Sequence, residues 1–89
     1  MADVSATLRR IRRARGLMQF QAAAQFAETE WSWSRYECAK SPVPLDLIVA
    51  VARRWNAPEL LAAHPAVAAY RAMSGDYDPR DPAPMARAA

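Results

Sequence analysis

Cysteine and histidine each occur once among the 89 residues, and glycine only twice. A single thiol excludes an internal disulfide. Cys38 and His64 stand far apart and lack the clustered spacing of zinc ligands, so no metal is expected. Ser32 and Ser34 have no histidine base near them, and Cys38 has only distant His64, so nucleophilic catalysis lacks its constellation. A glycine-rich phosphate loop is missing too. The chain is therefore expected to be no enzyme, with no catalytic residue and no cofactor. No apolar run approaches the ~20 residues needed to span a bilayer, and no signal peptide is legible. With the lone thiol, these absences point to a soluble protein of a reducing cytoplasm that has no membrane partner. Strand patterning is absent as well. No segment alternates apolar and polar residues over strand length while alanine is abundant, so an all-α chain is expected.

What is present suits one small domain. At 53% hydrophobic residues the chain can build a modest core, which dimerisation would help to stabilise. The formal net charge of +3 suits a polyanion partner but is common to many unrelated proteins and decides nothing alone.

The spacing predicts a first helix from about Ser5 to Arg15, closed by Gly16 in the left-handed conformation. Val4, Leu8 and Ile11 fall on one face, and Arg12, four residues after Leu8, falls there with them. A buried guanidinium requires a carboxylate partner. Arg9, Arg10, Arg13 and Arg15 lie wholly or partly off that stripe, as a solvated basic face or as attraction for phosphate. A second helix is predicted from Gln19 to Phe26, packing through Ala22, Ala23 and Phe26. A tight turn at Ala27–Thr29 follows, and Thr29 is placed to cap a third helix from Glu30 to Cys38. On that third helix Trp33, Tyr36 and Glu37 should face inward, and Glu30, Trp31, Ser34, Arg35 and Cys38 outward. Two short helices joined by so brief a turn must cross steeply, which is a helix-turn-helix. Pro42 and Pro44 make 41–44 a loop. A fourth helix from Leu45 to Trp55 should bury Leu45, Ile48, Val51 or Ala52, and Trp55. Pro58 opens a fifth, in which Leu60 and Leu61 close the core. His64 precedes Pro65 and is biased away from helical geometry, so a break is expected there. Helical residues 65–73 carry Val67, Tyr70 and Met73 on one face, which either folds back onto the core or joins a dimer interface, with the second favoured. Residues 75–89 read as a Pro/Asp-rich flexible tail. The domain expectation is thus 1–64, an extension over 65–74, and the tail.

Several of these residues together carry a likeness. LRRIRRARGLMQ, Ala23, Thr29, the S-R-Y-E of Ser34–Glu37, and LIVAVARRWNAPELL resemble the lambda-repressor-like, or Cro/Xre-type, helix-turn-helix family over roughly Leu8 to Leu61. The resemblance implies a compact five-helix domain with the 65–74 segment added to it. It also implies a small transcriptional regulator, a repressor by preference, that binds double-stranded DNA as a homodimer. In that family an arginine of the first helix pairs with the glutamate closing the recognition helix, which implies a structural ion pair between Arg12 and Glu37. It further implies backbone phosphate contacts from Gln19, Thr29 and Lys40, and base contacts from Glu30, Trp31, Ser32 and Arg35. The sequence departs from the pattern at Glu30 and Trp31, where smaller, polar or basic residues are usual. It departs again at Ala39, where glycine is usual, and at Met18, where Ser or Thr is common. Trp31 is one turn from Arg35 and could stack on it. Alternatively Glu30 and Trp31, or the last helix, form a surface for a protein partner.

Overall fold

The computed structural model describes residues 3–74, with side chains as far as Tyr70. Six helices follow in order: α1 (Val4–Ala14), α2 (Gln19–Gln25), α3 (Glu30–Glu37), α4 (Leu45–Arg54), α5 (Glu59–Ala63) and α6 (Pro65–Ser74). No strand occurs among the described residues, so the fold is all-α. No helix among them is long and apolar enough to cross a membrane. The tail expected over residues 75–89 lies outside the described residues.

The helices form where the apolar spacing places them, and their starts are set by capping. Asp3 Oδ1 accepts from the Ala6 N–H at 2.7 Å and opens α1. At α2 Met18 offers no side-chain cap, and Gln21 compensates by accepting from the Met18 N–H through Oε1 at 2.8 Å. Thr29 Oγ1 accepts from the Ser32 N–H at 3.0 Å and opens α3.

Four helix ends share one closure. Gly16, Ala27, Ala39 and Asn56 all have left-handed φ, between 51° and 72°. After each, the next N–H reaches back five residues: Leu17 to Arg12 O, Glu28 to Ala23 O, Lys40 to Arg35 O, and Ala57 to Ala52 O, at 2.9–3.2 Å. This is the six-to-one bond of a Schellman ending, which uses carbonyls the helix leaves free. Glycine adopts that conformation without cost; the alanines at 27 and 39 do so against a steric penalty of about 1 kcal/mol.

Leu8, Trp33, Ile48, Val51 and Leu60 are fully buried and form the centre of the core. Ala22 and Ala23 are buried too, and their small side chains let α2 approach α3 closely. Beside them Phe26 stacks on Trp33 at 5.9 Å and meets Trp55 edge-on at 5.5 Å, so three rings join the ends of α2 and α4 to α3. Trp55 Nε1 donates to Gln25 Oε1 at 2.9 Å, which satisfies its one polar atom. On α4 the buried stripe is Leu47, Ile48, Val51 and Ala52, continued by Trp55, while Leu45 is 40% exposed. Leu45 was expected inside; as the first helical residue after Pro44 it turns outward, and in the preceding loop Val43 is buried.

His64 ends α5 in an extended conformation, the break expected from Pro65. Its ring is buried between Val43 O, 2.7 Å from Nε2, and the Ala66 N–H, which donates to Nδ1 at 3.0 Å. Those two partners require a neutral ring with its proton on Nε2. The imidazole therefore caps α6 and anchors the 41–44 loop at once. α6 has its main contact with α5, and along it Val67 is half-buried and Tyr70 exposed.

Candidate functional site

The chemistry of the chain concentrates on and behind α3. Glu37 is at its inner end, 6% exposed, and its carboxylate accepts four hydrogen bonds. Arg12 donates through Nε at 2.6 Å and Nη2 at 3.0 Å, Trp33 Nε1 at 2.6 Å, and Gln19 Nε2 at 3.2 Å. Arg12 also donates through Nη1 to Leu17 O at 2.6 Å. One carboxylate thus ties the end of α1, the start of α2 and two turns of α3 together. Burial works to raise the Glu37 carboxyl; the bonds from Arg12, Gln19 and Trp33, with the Arg12 charge, outweigh it and hold the group below its ordinary value. No buried side-chain N or O among the described residues lacks a partner, so the site is fully satisfied.

Arg12, whose inward position called for a carboxylate, meets Glu37, the partner that the family resemblance implied. The indole contribution of Trp33 was not foreseen, although Trp33 and Glu37 are four apart and share a helical face. Gln19 is at the edge of this network, half-buried, with its amide nitrogen committed to Glu37.

Outside, α3 presents Glu30 and Trp31 to solvent, Trp31 at 70% exposure. Ser32 is half-buried, and its hydroxyl accepts from Thr29 Oγ1 at 3.0 Å, so both belong first to the cap. Arg35 is the most constrained of the outward residues. Its guanidinium carbon lies 5.0 Å from the Trp31 ring centroid, the stacking that their spacing allowed. Nε donates to Ser41 Oγ at 2.8 Å and Nη2 to Lys40 O at 3.1 Å. Those bonds occupy one edge of the guanidinium; among the described residues the end-on edge formed by Nη1 and Nη2 has no other partner. Ser41 as the holder of Arg35 had no sequence signal, since it lies across a turn shaped by left-handed Ala39. Lys40 is exposed.

Carboxylates flank the other end of the helix pair. Phe26, Pro44, Leu47 and Ala50 line a shallow groove of about 340 Å³ rimmed by Glu28 and Asp46. The half-buried Tyr36 phenol is pushed above its ordinary range, by burial first and then by those two charges. Met18 and Phe20, at the start of α2, are 62% and 52% exposed.

Among protein-family models, curated proteins and solved structures, none matches this chain.

Proposed function

We propose that this chain is a non-enzymatic, sequence-selective DNA-binding regulator of the lambda-repressor-like, helix-turn-helix kind, with α3 entering the major groove of duplex DNA. The observation that carries the reading is the clamped guanidinium of Arg35. A stacked, hydrogen-bonded arginine with a free end-on edge loses little further freedom when it meets the O6 and N7 acceptors of guanine. Behind it, the Glu37 network fixes α3 to α1 and α2, so the presented helix is held rigidly. Gln19, Thr29 and Lys40 border α3 where phosphates would run, and contacts there set register without reading sequence. Two copies, joined through the exposed side of α6, would match a near-palindromic site.

The test is selection of bound duplexes from random DNA, followed by anisotropy titrations over a salt series. A log–log slope on the order of −5 to −9 is expected for six to ten neutralised phosphates. Arg35→Ala should relax the sequence preference, whereas Gln19→Ala should weaken all duplexes alike. No binding to any duplex at low salt refutes the reading.

A second reading is favoured by one feature, the exposure of Trp31 beside the carboxylate of Glu30, which repels phosphate. On that reading the same surface receives a protein partner. Trp31→Ala separates the two: loss of a bound protein with duplex binding intact favours the partner surface.

A further inference from the structure

A groove of about 490 Å³ runs beside the outer face of α1 and ends against Cys38 and Ala39, just past α3. Arg9, Arg10 and Arg13 line it. Arg10 lies 3.6 Å from Glu59, an exposed pair. Arg9 and Arg13 are exposed and have no carboxylate within 4 Å among the described residues. They stand one helical turn apart, where two like charges destabilise a helix by about 0.2–0.5 kcal/mol. Two carboxylates also face the groove. Glu37 is matched by Arg12, and Asp3 caps α1 roughly 9 Å along the helix from Arg9 and about 15 Å from Arg13 at 1.5 Å per residue. The buried hydroxyl-bearing Ser5 lines the same wall, four residues before Arg9 and eight before Arg13.

We infer that this groove is a phosphate-binding site, with Arg9 and Arg13 as its charged ligands and Ser5 as a neutral neighbour. Two guanidinium groups a turn apart can share one phosphate or take two successive ones, and an anion between them removes their mutual repulsion. The phosphate has two sources. The groove ends at the residue preceding Lys40, so a duplex seated on α3 could lay its backbone there, and that source rests on the DNA-binding reading. A free phosphate compound in the same groove does not.

Two measurements on the full chain distinguish them. The first compares the salt slope of duplex binding for the parent and the Arg9→Gln/Arg13→Gln variant. A backbone source lowers the slope by about 0.9–1.8, one or two phosphates' worth, and Arg9→Lys/Arg13→Lys restores it. The second follows the Arg9 and Arg13 Nε–Hε resonances during titration with inorganic phosphate against chloride at matched ionic strength. A free-anion source gives a saturable shift of those resonances in the parent that chloride does not reproduce, with the duplex slope unchanged in the Gln variant. Either result supports the site; unchanged slope together with unshifted resonances overturns it. If the parent binds no duplex, the DNA-binding reading fails, and the phosphate titration alone decides this one by the same criterion.

Discussion

Glu37→Gln keeps the shape of the side chain and removes its charge, which makes it the sharpest perturbation of this fold. Four donors converge on the carboxylate, two on each oxygen: Arg12 Nε and Trp33 Nε1 on Oε2, Arg12 Nη2 and Gln19 Nε2 on Oε1. A glutamine amide has one oxygen, so whichever way it turns, its NH2 group faces two donors. Arg12, 7% exposed as a residue, then keeps a buried guanidinium without a counter-charge. Removing one partner of a buried pair costs about 3–5 kcal/mol. The 72 residues from 3 to 74 suggest a total stability of roughly 4–11 kcal/mol, at about 0.05–0.15 kcal/mol per residue. The substitution should therefore consume a large share of the whole. At about 4–8 °C per kcal/mol for a domain this small, the midpoint should fall by roughly 12–40 °C. Far-UV circular dichroism melts measure it directly, with urea titration as the equilibrium check. A midpoint within about 2 °C of the parent would refute the claim that this carboxylate holds the helices together. The Arg12→Met/Glu37→Met double variant should be less damaged than Glu37→Gln, because no charge is stranded. Recovery should stay incomplete, since the fully buried Trp33 loses the acceptor for its indole N–H, at about 1–3 kcal/mol.

Acid should act through the same group. Its folded pKa lies below the ordinary 4.5, so its contribution is complete above that value and is lost as pH falls through the lowered folded value. Urea midpoints should therefore drop more steeply below about pH 4.5 in the parent than in Glu37→Gln; parallel curves would contradict this. Ala39→Gly and Ala27→Gly should each stabilise by about 0.5–1 kcal/mol, because both alanines hold left-handed φ, and a lowered urea midpoint in either would speak against the shared helix ending. His64→Ala should cost about 2–4 kcal/mol by stranding Val43 O and the Ala66 N–H and emptying a buried site. Amide exchange should rise first at Ala66, and an unchanged Ala66 rate would remove the imidazole from its capping role.

Much of this architecture follows from residue order alone. The 3.6-residue spacing of Leu8, Ile11 and Arg12 puts a guanidinium on an apolar face, and the cost of an unpaired buried charge then demands an acid on another inward face. Thr29, Gly16 and the His64–Pro65 step mark boundaries by local stereochemistry, which neighbours in the chain suffice to impose. The outward placement of Trp31 and Arg35 follows from the same periodicity. What local order could not supply were the relations made across space. Ala27 carries no mark of a left-handed turn, and at Ala39 only the glycine usual in the resembled family points to one; both adopt it in the folded chain. Leu45 has the character of a core residue, yet it is 40% exposed at the start of α4, while Val43 of the preceding loop is buried. Ser41 meets Arg35 only after the turn at Ala39 brings the loop back over α3, and His64 reaches Val43 from 21 residues away. Periodicity sets which face a side chain is on, since one helix is enough to define a face. Which partner waits there depends on how several helices share a single volume.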